Sequence, residues 1–254
     1  MQLIEYYNKN NIFTINSDPK TIKGSKKGFM TAILYLAPHK LSIEDNLNSN
    51  LKGSNTCPFA SVGCIEACLN FSGRGQMSFT QKARIKRTLF LKNHKKEFML
   101  NLLKRISSFI KKAKNKNMIP VVRINGTSDL LIENMKINNK SLMQHFPDIQ
   151  FYDYTKAPHN KRKNLPDNYD LTYSYSDKKE ALQEALEHLK NKTARVSVVF
   201  SDDLPKTWNG YKVINADKTD LRFLEPKNVI CGLKFKGSKK ALKKGIKSGF
   251  VVEA

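Results

Sequence analysis

Three of the chain's four cysteines fall within twelve residues, in Cys57-Pro58-Phe59-Ala60-Ser61-Val62-Gly63-Cys64-Ile65-Glu66-Ala67-Cys68, and Ser72-Gly73-Arg74-Gly75 comes soon after. Thiolates this close along a chain are soft ligands, able to hold one face of an iron–sulfur cluster or part of a zinc site. The spacing, C-x6-C-x3-C, lacks the paired C-x2-C knuckles of a zinc finger. Ligation by three thiolates leaves one position exchangeable and suits a catalytic cluster. Ligation by four suits a structural metal, with Cys231 or a histidine completing a zinc site. Cys231 itself lies in an apolar run, where a lone cysteine reads as a small core residue. The third reading of the loop is three structural thiols with no metal.

These residues need elements to position them. Thr31–Leu36 is a continuous apolar run ended by Pro38, which predicts a buried strand leading to His39 and, through an Asn/Ser-rich loop over residues 41–56, to Cys57. Ile12–Ile15 predicts a short strand and Lys20–Lys27 a basic loop. A helix starts near Ser78. A clearer one follows, with Phe98, Leu102, Ile106, Phe109, Ile110 and Ala113 recurring at three and four and lysines opposite. Beyond residue 117 the period changes to short apolar runs at 119–124, 149–154, 171–175, 195–200, 211–214 and 229–235. Between the third and fourth of these, Asp177 and Glu180 predict the start of an amphipathic helix lined by Ala181, Leu182, Ala185, Leu186 and Leu189. Ser238 predicts the cap of a last, basic helix. Strands alternating with helices predict an α/β fold with a mostly parallel sheet. With no linker or repeat to split it, the chain reads as an N-terminal extension, 1–29, and one domain, 30–254.

On such a sheet, polar residues collect just past the strand ends: Asn125-Gly126-Thr127-Ser128-Asp129, Asp153-Tyr154-Thr155-Lys156, Ser174-Tyr175-Ser176-Asp177 and Ser201-Asp202-Asp203. Ligands of parallel α/β sheets bind at that edge, and the cysteine loop is expected there too. Asp129 can cap a following helix, bind a polar substrate or act as a base. Asp153 and Lys156 can pair with each other or serve a substrate. Arg74, Arg84 and Arg87 can grip an anion; a solvated helix face explains Arg84 and Arg87 equally well. His39 can be a ligand or a phosphate contact. Asp202, Asp203, Asp217 and Asp220 can be metal-binding carboxylates or turn formers.

The chain carries 45 Lys and Arg against 22 Asp and Glu, a net charge of +23. That field attracts polyanions, nucleic acid first among them, although Lys, Asn and Ile are also what an AT-rich genome supplies. The lysine runs at 23–27, 111–116 and 234–247 read as surface with room for phosphate contact. No apolar run reaches the roughly 18–20 residues of a membrane span. The first residues lack the basic-then-apolar pattern of a signal peptide. A cytoplasmic location is expected, and there reduced thiols bind metal rather than form disulfides.

Leu34–Ser42, the Cys57–Cys68 loop, Ser72–Gly75, Asn125–Asp129, Phe151–Lys156 and Asp220-Leu221-Arg222-Phe223-Leu224 together resemble the phage and prophage proteins named for gene product 88, over residues 30 to 252. That resemblance implies a phage-encoded protein and brings no mechanism. More distantly, a strand, a three-cysteine loop, a long helix and strands ending in Ser-Asp, Thr-Lys and Ser-x-Ser-Asp are similar to phage relatives of the radical S-adenosylmethionine enzymes. This second resemblance implies a partial (βα)6 TIM-like barrel with a [4Fe-4S] cluster at its mouth and S-adenosylmethionine on the fourth iron. The spacing here differs from C-x3-C-x2-C, and no Gly-Gly-Glu stands ready for the methionine amine.

The expectation that follows is an iron–sulfur, radical-enzyme-like protein acting on nucleic acid or a nucleotide. Cys57, Cys64 and Cys68 are its expected metal ligands. Arg74, Asn125, Ser128, Ser174 and Ser176 are its cofactor contacts, and Asp129, Asp153 and Lys156 its catalytic groups. The alternatives are a nucleic-acid-binding protein with a structural zinc and a metal-dependent nuclease or replication protein.

Overall fold

The computed structural model describes residues 2–43, 51 and 53–254; residues 44–50 and 52 of the expected Asn/Ser-rich loop lie outside them. In chain order the elements are α1 (Gln2–Lys9), β1 (Thr14–Ile15), α2 (Pro19–Ser25), β2 (Phe29–Ile33), α3 (His39–Ile43), α4 (Val62–Glu66), α5 (Ser78–Asn93), α6 (Lys95–Lys114), β3 (Ile119–Arg123), β4 (Lys136–Ile137), β5 (Lys140–Ser141), β6 (Gln150–Thr155), β7 (Tyr169–Ser174), α7 (Ala181–Lys190), β8 (Arg195–Phe200), β9 (Thr207–Trp208), β10 (Tyr211–Asn215), β11 (Ile230–Lys234), α8 (Lys239–Ser248) and β12 (Val251–Val252).

All six apolar runs after residue 117 form strands of one ten-stranded sheet. Its order is β1-β2-β3-β6-β7-β8-β11-β10-β9, with β12 beside β8; β4 and β5 make a separate hairpin. The pairs β2–β3, β3–β6, β7–β8, β8–β11 and β10–β11 are parallel, whereas β1–β2 and β9–β10 are antiparallel. The fold is mixed α/β with a mostly parallel sheet, as expected. The sheet is not closed: its path ends at β1 and β9.

Chain contacts define two compact units that interleave. One comprises Met1–Pro58, Ser78–Asp153 and Asn164–Asp170; the other Phe59–Met77, Tyr154–Lys163 and Leu171–Ala254.

In the first unit, α6 buries Phe98, Leu102, Ile106, Phe109 and Ala113 of the stripe that its period predicted, and Met99 with them, whereas Ile110 is half-buried. Each of the large side chains among these, removed from water, contributes about 1.5–3 kcal/mol. The first 29 residues are built into this unit. Tyr7 of α1 stacks on Phe90 of α5 with centroids 4.9 Å apart, and Thr14 of β1 pairs with Ile33 of β2. Residues 20–27, expected as a loop, mostly belong to helix α2. Asp18 accepts from the Thr21 amide at 2.9 Å, the Thr21 hydroxyl closes a capping box, and Pro19 sits in the first turn. Those capping signals outweigh the lysines, which a short exposed helix tolerates.

In the second unit, Tyr173, Ala185, Leu189, Val196, Val198, Phe200 and Ile230 form one core between α7 and the strands. Ala67, Phe250 and Val251 form another, with Cys64, Leu242 and Ile246 packed against it. Ser238 caps α8, accepting from the Ala241 amide at 3.2 Å as predicted, and Gly249 ends the helix with φ +82°. The expected cap of α7 is not made: the residue before that helix is Glu180, with no side-chain bond.

Candidate functional site at the strand ends

In the first unit, the chain past β3 is laid against the chain past β2. Leu34 N–H donates to Arg123 O at 2.9 Å, Gly126 N–H to Leu34 O at 3.0 Å, and Thr127 Oγ1 to Leu36 O at 2.6 Å. A Cβ on Gly126 would stand 2.7 Å from Leu34 O, so only glycine allows this approach. Thr56 straps the same edge: its hydroxyl donates to Ala37 O and its carbonyl accepts from Asp129 N–H at 2.8 Å. Cys57 follows, its Sγ 3.5 Å from Thr127 O. The first cysteine therefore sits at the C-terminal edge of the parallel strands, where it was expected.

The loop over 125–130 is organised by Asn125. Its Oδ1 accepts from Ser128 Oγ at 2.8 Å and from Leu130 N–H at 3.0 Å, and its Nδ2 donates to Leu130 O at 3.0 Å. Its own amide donates to Asp153 Oδ1 at 2.8 Å. Asp153, in the last part of β6, also accepts from Tyr169 Oη at 3.0 Å and faces Arg123 Nε at 3.6 Å, with its side chain wholly buried. Three of the expected contact residues thus form one network with Arg123 and Tyr169, which sequence reasoning did not single out. No helix follows Asp129 for it to cap; a 3-10 turn over Ile132–Asn134 opens at Leu131. The Asp129 residue is buried.

In the second unit, Ser61 caps α4 by accepting from the Cys64 amide at 3.2 Å. Asp177, expected to start α7, serves α4 instead. Its Oδ2 accepts from Gly63 N–H at 3.0 Å and its Oδ1 from the Ser61 hydroxyl. Lys178 Nζ donates to Phe59 O at 2.7 Å. The segment carrying Cys64 and Cys68 is thereby fixed to the loop just past β7. Cys57, Cys64 and Cys68 are thiols, each half-buried. Among the described residues, no three His, Cys, Asp or Glu side chains already stand as a metal-binding group.

Beside this anchor, Lys156 Nζ donates to Ser174 Oγ at 2.8 Å and lies 5.4 Å from the centroid of Phe250. Ser176 is 1% exposed, and its hydroxyl has no hydrogen-bond partner among the described residues. Arg74 is exposed in a 3-10 turn over Gly73–Gln76.

The remaining candidates fall elsewhere. Arg84 and Arg87 do not form a solvated face. Arg84 is buried over the Tyr35 ring at 5.0 Å, and Arg87 donates to Tyr35 O at 3.4 Å, where burial pulls its pKa down. Cys231 is fully buried with Ala216 and Val229, and burial pushes its thiol up, the core role that its apolar strand implied. Asp203 pairs with Lys234 at 2.6 Å; Asp217 pairs with Lys236 and accepts from Lys234 N–H at 3.0 Å; Asp220 accepts from Tyr154 Oη at 3.5 Å.

The model of the family described as gene product 88 matches residues 10–254, and the chain belongs to that phage family. No curated protein and no solved structure matches it. Among the described residues, no helix is long and apolar enough to cross a membrane.

Proposed function

We propose that Cys57, Cys64 and Cys68 hold an iron–sulfur cluster, and that the protein is a radical-enzyme-like catalyst acting on nucleic acid or a nucleotide in the cytoplasm of the phage's host. The observation that carries this reading is the anchoring of the cysteine segment. Cys57 is fixed beside Thr127, past β3, and the Cys64 turn is fixed by Asp177, past β7. Each anchor lies past a strand end of its own unit, the kind of place where parallel α/β sheets hold their ligands.

The donor chemistry fits. Three thiols in half-exposed positions suit a cluster with one open iron, which supplies one-electron chemistry and a place for a cofactor such as S-adenosylmethionine. The ligand set would be completed on loading, as metal sites commonly are. The run β2, β3, β6, β7, β8 and β11, whose members are neighbours in the sheet in chain order, supports a partial (βα)6 barrel, to which β10 and β9 are added beyond β11.

The remaining roles divide by environment. Asn125, Ser128 and Asp153 shape the loop past β3, so a substrate or cofactor would meet the surface they hold rather than Asp153 itself. In the second unit, Lys156, steadied by Ser174, is a cation that would meet a phosphate or carboxylate, with Ser176 offering a hydroxyl. Asp129 is the remaining carboxylate for proton transfer, and Arg74 the exposed guanidinium. The net charge of +23 supports a polyanionic substrate.

Purification without oxygen, followed by iron, sulfide and zinc analysis, tests the proposal. Iron and acid-labile sulfide near about four each per chain, with a brown visible spectrum, are expected for a [4Fe-4S] cluster. Replacing any of the three cysteines by serine should remove most of the iron. Colourless protein holding zinc or no metal overturns the reading.

A further inference from the structure

The sequence from 226 to 252 contains eight lysines and no acidic residue. Helix α8 sorts them. Leu242 and Ile246 turn to the core with Ala67, Phe250 and Val251, and Gly245 lies so close that an added Cβ would stand 2.6 Å from Val251. The opposite arc carries Lys239, Lys240, Lys243, Lys244 and Lys247, all exposed. Lys239, Lys243 and Lys247 follow at steps of four, a row with about 6 Å of rise between members.

Three neighbouring lysines already have carboxylates: Lys244 on Glu66, Lys234 on Asp203 and Lys236 on Asp217. Lys239, Lys240, Lys243 and Lys247 have no carboxylate partner among the described residues. Four like charges on one short helix repel one another unless an anion lies over them. A basic amphipathic helix can also lie on a membrane, but that requires its apolar face to enter the lipid. Here the apolar face is the packing face, so only the charge is on offer.

Glu66, which holds Lys244, precedes Phe71 and Arg74 by five and eight positions. Phe71 is 36% exposed, Leu69 51% and Val62 72%. On the segment that Glu66 ties to α8, these exposed side chains and Arg74 are the kinds a single strand uses, its phosphates on the cations and its bases on the rings.

We infer that the outer face of α8 is a binding surface for the phosphodiester backbone of single-stranded nucleic acid. Lys239, Lys240, Lys243 and Lys247 contact phosphates, and Phe71 with Arg74 receives a base. The inference deepens the proposed function by placing its polyanion, and it does not depend on the cluster.

The test compares two variants that lose the same charge. One carries Gln at 239, 240, 243 and 247; the other carries Gln at 111, 112, 114 and 116, the exposed basic end of α6. Binding of a fluorescent single-stranded DNA oligonucleotide is followed across salt concentrations, with the matching duplex and anionic vesicles as separate arms. Losing four phosphate contacts should flatten the logarithmic salt dependence by roughly 3 for the α8 variant, and by less than about 1 for the α6 variant. Phe71→Ala should weaken binding about tenfold without changing the slope. Equal losses from both variants, no loss from either, or a preference for duplex or vesicles overturns the inference. Thermal melting checks that each variant is folded, and iron assayed on the same preparations reads the cluster proposal separately.

Discussion

Asp177 accepts from Gly63 N–H at 3.0 Å across 114 residues of sequence, and through its other oxygen it holds the Ser61 hydroxyl that caps the Cys64 turn. One carboxylate therefore sets the start of α4, the short helix that carries Cys64. Replacing it with alanine leaves a capping hydroxyl and a backbone amide without their acceptor. A loss of about 1–3 kcal/mol in chemical denaturation is expected. Cys64 should also react faster with thiol reagents in the metal-free protein. Unchanged stability together with unchanged labelling would show that the turn is held by other means.

Gly63 is enclosed on every side that matters. A Cβ there would meet Ser248 Oγ, stand 2.5 Å from Phe250 Cβ and 2.8 Å from Asp177 Oδ1. Gly63→Ala should cost about 1–3 kcal/mol through overpacking, read as a fall of several degrees in melting temperature. The predicted companion effect is lower iron content after anaerobic purification. Wild-type stability in this variant would mean that the α8 end yields freely.

Asp153→Ala removes a buried carboxylate that faces Arg123 and that accepts from the Asn125 amide and the Tyr169 hydroxyl. Breaking a buried pair from one side costs about 3–5 kcal/mol. Asp153→Asn, which keeps the shape, should cost less. A catalytic base would behave differently: both variants would fold normally and lose turnover alone.

His188 packs 5.4 Å from His159 and bonds Thr193 Oγ1 at 2.8 Å; burial, then the charge of His159, lowers its pKa, while Glu184 and Glu187 oppose the shift. The unfolded chain therefore takes up this proton before the folded one does. Stability is full above the unfolded value, about 6.5, and declines as pH falls below it. His188→Gln should flatten the acid side of a plot of unfolding free energy against pH. An unaltered acid limb in that variant would assign the decline to other groups.

Thiol counting separates the core cysteine from the loop. In metal-free native protein, Cys57, Cys64 and Cys68 should react and Cys231 should not, because its thiol is wholly buried and burial raises its pKa. Denaturant should release the fourth. Rapid reaction of four thiols in native protein would contradict the packing of β11.

What the sequence made legible was periodic or local. The stripe of α6, the six apolar runs and the Ser238 cap all depend on neighbours within a turn or a strand. Asp177 was read by the same local logic as the start of α7 and was wrong in its partner, because the groups it serves are more than a hundred residues away. Arg84 and Arg87 show the same limit: spacing put them on one face, but only tertiary packing turns that face onto Tyr35. The Arg123–Asp153–Tyr169 network was missed for want of any local pattern. A charged residue inside an apolar strand, such as Arg123, is the signal that could have raised it, since a buried charge needs a partner.

The two units trade the chain back and forth, and the segment Phe59–Met77, with Cys64 and Cys68, belongs to the one whose bulk, Leu171–Ala254, lies far downstream of it. Its anchors, Asp177, Lys244 and Phe250, leave the ribosome long after the thiols do. Until those residues have been made and folded, Cys64 and Cys68 stand on an unheld segment, so any inorganic centre there must be assembled after α8 is in place, and removing α8 and β12 should abolish it while leaving every cysteine in the chain.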